Sequence, residues 1–102
     1  MEISEKIKKQ ILDIIFKYID KNSCDVFLFG SYASEKARQS SDIDIGIDCN
    51  KKLSLTELLT IKEDLNENVD ILRKIDIVDF KSDLDEDFKK ITLKDRKIWH
   101  MK

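Results

Sequence analysis

Hydrophobic residues in the first half of the chain change from helical to strand spacing. Between Ile3 and Asp20 apolar residues recur every three or four positions, which predicts an amphipathic helix capped by Ser4. Val26 to Phe29 is apolar throughout and Asp42 to Asp48 alternates strictly, and both patterns indicate β-strands. The 11 residues from Ser31 to Ser41 are fewer than a parallel crossover usually needs, so we expect the two strands to be antiparallel.

The second half of the chain repeats this alternation of helix and strand. A capping box predicts a helix from Ser54 to about Asn68, and Lys74 to Phe80 predicts a third strand. A further helical stripe begins near Ser82, whereas residues 91–102 are ambiguous. With a short helix expected over Ser31 to Arg38, the order predicts an α/β or α+β fold. We expect a small mixed or antiparallel three-stranded sheet flanked by about four helices.

Length, composition and charge narrow the class of protein. A chain of 102 residues, 41% of them hydrophobic, predicts one folded domain over residues 1–102. The chain has no apolar run near the roughly 20 residues of a membrane span and no signal peptide, so we expect a cytoplasmic protein without a membrane partner. The 19 basic and 21 acidic residues nearly cancel, which argues against a direct nucleic-acid partner.

The cysteines, the histidine and the tryptophan are not expected to take part in catalysis or metal binding. Cys24 and Cys49 are too few for a disulfide framework or a structural zinc site, and we interpret both as reduced thiols. His100 is the only histidine and lies near the end of the chain, so we expect a surface residue and no histidine-based catalysis. Trp99 is expected to be anchored either on the core or on a partner.

One candidate site begins at Gly30 and Ser31, directly after the apolar strand. Glycine lets a ligand approach the backbone or adopts a torsion that other residues resist. A helix that starts here would offer free amides and a positive dipole to phosphate, and Ser31 adds a hydroxyl. The alternative is a turn that merely ends the strand.

Three aspartates supply the acidic part of the candidate site. Asp42 and Asp44 lie at i,i+2 on a predicted strand, so they point to one face and repel unless a cation lies between them. Mg²⁺ prefers such oxygen ligands. Asp76 stands in an apolar strand, where a carboxylate is costly unless it is paired or bound to metal. The alternatives are a solvated acidic face, which Asp48 supports, and an edge-strand surface residue at Asp76.

Joined together, these features resemble a known family. Gly-Ser, ten residues, Asp-Ile-Asp and a third aspartate on a later strand resemble the nucleotidyltransferase superfamily that includes DNA polymerase β. The string GSYASEKARQSSDIDIGID is most similar to minimal nucleotidyltransferases (MNT), which are encoded beside HEPN-domain toxins. The resemblance implies a polymerase β-like nucleotidyltransferase fold. It also implies an antitoxin that moves AMP from ATP to a hydroxyl, expected on a tyrosine, of a partner HEPN toxin.

The resemblance also implies roles for individual residues. Asp42 and Asp44 would hold Mg²⁺ on the triphosphate, and Asp76 would complete the site for a second ion or act as general base. The Gly30 amide and Ser31 would hold the β- and γ-phosphates. Nucleotide binding would also involve Arg38, which would neutralise phosphate charge, although as a residue it also fits a plain surface cation.

The chain departs from the family pattern between these motifs. MNT sequences often have arginine and glycine where this chain has Ser34 and Glu35, and proline where it has Gln39. Compared with the family pattern, this chain therefore has one positive charge fewer and one negative charge more beside the turn that is proposed to bind phosphate. Three other functions therefore stay open: a non-catalytic antitoxin that binds its toxin, a nucleotidyltransferase for a small molecule such as an aminoglycoside, and a structural α/β domain with an acidic strand.

Overall fold

Residues 3–34 and 41–102 are described by a computed structural model of the protein. The described residues form three helices and four strands. In chain order they are α1 (Glu5–Ile15), β1 (Cys24–Phe29), β2 (Ile43–Cys49), α2 (Leu55–Asn68), β3 (Ile75–Asp79), α3 (Glu86–Asp95) and β4 (Lys97–His100).

The predicted helix starts are confirmed at α1 and α2. Ser4 accepts a hydrogen bond from the backbone N–H of Ile7, and Ser54 forms the reciprocal capping box with Glu57. Helix α1 ends earlier than predicted, because the next residues form tighter i→i−3 turns: Lys17 N–H, for example, donates to the Ile14 carbonyl at 3.1 Å.

The other two predicted helices differ from the structure. Helix α3 begins at Glu86 rather than near Ser82, because Asp85 accepts from the Phe88 N–H and caps the helix there. Residues 31–34 form a turn in place of the start of the predicted short helix. The rest of that segment, residues 35–40, lies outside the described residues.

The sheet is mixed, with strand order β3-β2-β1-β4. Strands β1 and β2 are antiparallel, as predicted, and β3 joins β2 in parallel after the crossover through α2. Strand β4 pairs antiparallel with β1 and was not predicted. The α/β fold class is thus confirmed, although the described residues contain four strands and three helices instead of three and about four.

Strand β4 accounts for the positions of Trp99 and His100 in the fold. The β1–β4 register is Val26 opposite His100 and Phe27 opposite Ile98, and this irregularity leaves Trp99 as the extra residue of a bulge. Trp99 packs against the main core. His100 Nε2 lies 2.7 Å from the Lys21 carbonyl oxygen, so this residue belongs to the sheet and is not a loose terminus.

The two faces of the sheet carry different hydrophobic clusters. The face under α1 and α2 is mainly aliphatic, with Ile11, Ile45 and Ile61 fully buried. The face under α3 is aromatic and contains Phe27, Phe29 and Phe80. Phe88 of α3 meets the rings of Phe29 and Phe80 at centroid distances of 6.0 Å. (Phe27 is fully buried beneath them.) Helix α3 therefore covers the opposite face from α1 and α2.

The prediction of two reduced cysteines is wrong. Cys24 and Cys49 lie directly opposite each other in the β1–β2 register and form a disulfide. The predicted strands ended one or two residues short of both cysteines, so the pairing was not visible from the pattern. None of the helices in the described ranges is long and apolar enough to cross a membrane.

Asp64 of α2 makes three polar contacts, two of them with the turn that follows α1. Its carboxylate accepts from Tyr18 Oη and Asn68 Nδ2 at 2.6 Å each, and Lys17 Nζ lies 2.7 Å away. The bond from Lys17, followed by those from Tyr18 and Asn68, lowers the pKa of Asp64 to about 2. Because the carboxyl pKa is lower in the folded chain than in the unfolded chain, the ionised carboxylate stabilises the fold. This contribution is complete above the unfolded pKa, near 4, and is lost as pH falls toward 2.

We therefore expect the melting temperature of the wild type to fall more steeply between pH 4.5 and 2 than that of Asp64→Asn. Circular dichroism melts over this range measure both slopes. Asp13→Asn is the matched control, because Asp13 forms an exposed ion pair with Lys9 within α1 alone. Equal slopes for the wild type and Asp64→Asn contradict the prediction.

Candidate active site

Gly30 directly follows β1 and begins the turn that leads toward β2. Its φ of +72° lies in the left-handed region, where a side chain is strained. A Cβ at this position would lie 2.5 Å from Asp44 Oδ2. Gly30 is therefore required both by the backbone torsion and by the close approach of this carboxylate. The turn closes with the Ser34 N–H donating to the Gly30 carbonyl at 3.1 Å.

Two of the predicted carboxylates lie side by side on neighbouring strands. Asp44 pairs with Phe29 of β1 on one side and with Asp76 of β3 on the other. The alternation of the strands places both aspartates on the face that α3 covers. Asp42 is exposed and comes one residue before β2. The registers thus bring the end of β1 and two acidic residues into one row across the sheet.

The electrostatics of this row are those of a crowded anionic site. Burial raises the pKa of Asp44, and the negative charges of Asp76 and then Asp42 add to the shift. The charges of Asp76 and Asp42 therefore both act on Asp44, and a cation placed beside Asp44 would relieve this repulsion. Lys62 of α2 already lies 3.0 Å from Asp76 Oδ1.

A cleft of about 600 Å³ opens over the carboxylates, between the sheet and α3. The sheet and α3 each contribute both apolar and polar side chains to its lining, and on α3 the side chain of Ile91 is 65% exposed. The residues that line it are Phe29, Gly30, Ser34, Asp44, Asp76, Val78, Phe88, Ile91, Thr92 and Asp95.

The sequence did not predict that α3 lines the candidate site. The stripe of Phe88 and Ile91 was visible in the sequence but indicated only a helix. Ile91 stays largely exposed and lines a cleft because of the way in which α3 crosses the aromatic face of the sheet. The spacing of apolar residues along the sequence does not reveal this crossing.

The structure brings together some of the predicted site residues and leaves others apart. Gly30, Asp44 and Asp76 line the same cleft. Ser31 and Asp42 adjoin it in sequence without lining it. Arg38 lies outside the described residues, as do Glu35 and Gln39. Of the departures from the family motif, only Ser34 is described, and it lines the cleft.

The donor set fits a divalent cation in its chemistry. Carboxylate oxygens are the ligands that Mg²⁺ prefers, and the repulsion on Asp44 favours a bound cation. The absence of a side chain at Gly30 leaves open the space against Asp44 Oδ2. Within residues 3–34 and 41–102, no three acidic, histidine or cysteine side chains already converge as a complete set of metal ligands. Substrate oxygens and water are expected to supply the remaining ligands.

The mixed sheet, the glycine turn and the paired carboxylates all lie within the residues that a known family matches. The chain belongs to the family described as "Polymerase beta, Nucleotidyltransferase", whose model matches residues 9–101. It is thus a nucleotidyltransferase, and the resemblance stated from its motifs is confirmed. Relatives in Methanocaldococcus jannaschii bear the name "Putative protein adenylyltransferase". One is 33% identical over 82 residues (80% of this chain and 82% of the relative), and another is 35% identical over 77 residues (76% and 74%).

Solved structures support the same fold. A chain of a crystal structure described as a toxin-antitoxin with AMP-PNP superposes with a TM-score of 0.76 at 23% identity, covering 93% of this chain and 74% of that one. A second structure is described as a tri-AMPylated Shewanella oneidensis HEPN toxin in complex with MNT antitoxin. It has a TM-score of 0.70 at 22% identity, covering 93% and 71%.

Proposed function

We propose that residues 1–102 form a minimal nucleotidyltransferase domain that transfers AMP from ATP to a hydroxyl group of a partner protein. The observation that carries this proposal is the row formed by Gly30, Asp44 and Asp76 along one cleft. The turn at Gly30 has no room for a side chain, and it lies against the Asp44 carboxylate, which is repelled by neighbouring negative charges. That combination suits a phosphate chain bound together with a divalent cation.

The proposed reaction forms a bond between the acceptor oxygen and the α-phosphorus of ATP, and breaks the bond to pyrophosphate. Asp42, Asp44 and Asp76 would hold Mg²⁺, expected as two ions, which when bound stabilise charge on the entering and leaving oxygens. The Gly30 amide and Ser31 would bind the β- and γ-phosphates, with Arg38 as an additional cation. If Asp76 does not ligate the second ion, it would instead act as the general base that accepts the proton of the acceptor hydroxyl.

The proposed acceptor is a tyrosine of a HEPN toxin, and the chain would act as its cytoplasmic antitoxin. The names of the M. jannaschii relatives support transfer to protein, and the toxin-antitoxin structures with the same fold support this class of partner. The exposed apolar side chains of Phe88 and Ile91, which line the cleft together with the carboxylates, suit contact with an aromatic group.

Labelled ATP tests the proposal directly. The chain is incubated with Mg²⁺, α-labelled ATP and a candidate HEPN toxin, and label on that protein is followed by gel and mass spectrometry. We expect label of the mass of AMP that disappears with EDTA. A complex that forms without label would contradict catalysis and support a binding antitoxin. Label on an added aminoglycoside, without any protein acceptor, would support the small-molecule alternative.

Gly30→Ala tests the glycine turn. The left-handed backbone resists a side chain, at a cost of about 1–2 kcal/mol, and the new Cβ displaces the Asp44 carboxyl. A displacement near 1 Å lowers transfer by about 100-fold. The rate of AMP transfer and the melting temperature are measured together. Transfer within twofold of the wild type, in a folded variant, would exclude a role for this close approach.

A further inference from the structure

The carboxylate of Asp76 is already paired with a lysine that the proposed reaction does not use. Lys62 Nζ lies 3.0 Å from Asp76 Oδ1, and the two side chains are 37% and 38% exposed. The same oxygen accepts a hydrogen bond from the Ile77 N–H at 3.1 Å. Both contacts use Oδ1, so a side chain of α2 places a positive charge directly on this carboxylate.

Helix α2 is fixed against the edge strand next to this ion pair. Asn66 Nδ2 donates to the Ile75 carbonyl, and Asn66 Oδ1 accepts from the Ile75 N–H, both at 2.8 Å. Lys62 and Asn66 are four residues apart and share one side of the helix. The Asn66 contacts hold the helix in place, whereas the flexible four-carbon stem of Lys62 allows its ammonium group to change position.

Resting on the proposed function, we propose that Lys62 is a tethered counter-ion that competes with the divalent cation for Asp76. Before nucleotide binds, its ammonium group offsets part of the charge that Asp76, Asp44 and Asp42 place in one cleft. A divalent cation that binds Asp76 must then compete with the positive charge of Lys62. A lysine suits this exchange because its ammonium is a compact point charge, whereas the planar fork of an arginine holds a carboxylate with two hydrogen bonds.

Direct binding of Mn²⁺, an EPR-visible substitute for Mg²⁺, tests the competition without any measurement of activity. The signal of free Mn²⁺ is followed as the full chain is added, first without and then with the non-hydrolysable nucleotide AMP-PNP. Lys62→Met is expected to tighten Mn²⁺ binding about two- to fivefold, the range set by the loss of a half-exposed ion pair. Lys62→Arg is expected to weaken it.

Lys81→Met is the matched control. Lys81 Nζ lies 2.7 Å from Asp48 Oδ1, so it also pairs with an aspartate of the sheet, but neither residue lines the cleft. The substitution removes the same charge from a chain of the same length. We expect Mn²⁺ binding like that of the wild type, which separates the local exchange at Asp76 from the effect of net charge.

The outcomes separate this inference from the proposed function. Tighter Mn²⁺ binding in Lys62→Met but not in Lys81→Met supports the tethered counter-ion. Unchanged or weaker binding in Lys62→Met overturns it and leaves the proposed function intact, provided that Asp44→Asn reduces Mn²⁺ binding. A wild type that binds no Mn²⁺ even with AMP-PNP overturns the proposed function and this inference with it.

Discussion

Replacing Asp42 and Asp44 together by asparagine is expected to reduce AMP transfer by at least about a thousandfold. The two carboxylates are the proposed ligands of the catalytic cation, whose charge stabilisation is worth several kcal/mol in the transition state, and about 4 kcal/mol corresponds to this factor. Label transfer from ATP to the partner, measured with saturating Mg²⁺, provides the rate. Transfer within tenfold of the wild type would exclude these residues as the proposed metal ligands.

Asp48→Asn is the control for the double variant. Asp48 lies on the same strand but pairs with Lys81 and is absent from the cleft lining, so transfer is expected to stay unchanged. The single variant Asp44→Asn is also expected to melt no lower than the wild type. Because burial and two like charges raise the pKa of Asp44, its ionised form destabilises the fold, and this penalty is present at pH 7 and absent below the unfolded pKa.

Gly46→Ala is expected to destabilise the fold by about 3 kcal/mol or more, or to prevent folding. A Cβ at this central β2 position would lie 2.2 Å and 2.4 Å from Cε2 and Cζ of the Phe27 ring. The ring is fully buried, and Phe80 packs edge-on against it at 4.8 Å, so it has little room to move. Overpacking of this kind costs about 1–3 kcal/mol and sometimes more. Urea unfolding gives the free energy.

A double-mutant cycle tests the stated cause. Phe27→Leu removes the ring atoms that the new methyl group would strike, so Gly46→Ala is expected to cost much less in a Phe27→Leu background than alone. Additive losses of free energy in the two backgrounds would show that the Phe27 ring is not the reason for the glycine.

Local signals predicted the parts of the site that lie close to the glycine turn in sequence. The short connection of 11 residues from Ser31 to Ser41 favoured an antiparallel pair, and this pairing places Asp44 opposite Phe29, one residue before Gly30. Asp76 lies beside Asp44 because β3 pairs in parallel with β2 after the crossover through α2, so its position could be predicted only together with that crossover. The family motif supplied that longer-range relation, which spacing alone did not.

The features that escaped prediction depend on tertiary contacts. Strand β4 has only four residues with a mixed pattern, and its pairing includes a bulge at Trp99, so no simple alternation was visible. The Lys62–Asp76 ion pair joins a helix to the edge of the sheet across 14 positions. No periodicity within either element indicates such a pair, and the same is true of the exposed Ile91 side chain in the cleft.

The disulfide has a topological consequence for the proposed site. Cys24 and Cys49 are 25 positions apart and close a covalent ring that contains the glycine turn, Asp42 and Asp44, whereas Asp76 lies outside it. In the chain-entropy model a ring of this size restricts the unfolded chain by about 3–4 kcal/mol. A protease that cuts the backbone once inside the ring leaves both fragments covalently joined, so such a nick would be detected on a gel only after reduction.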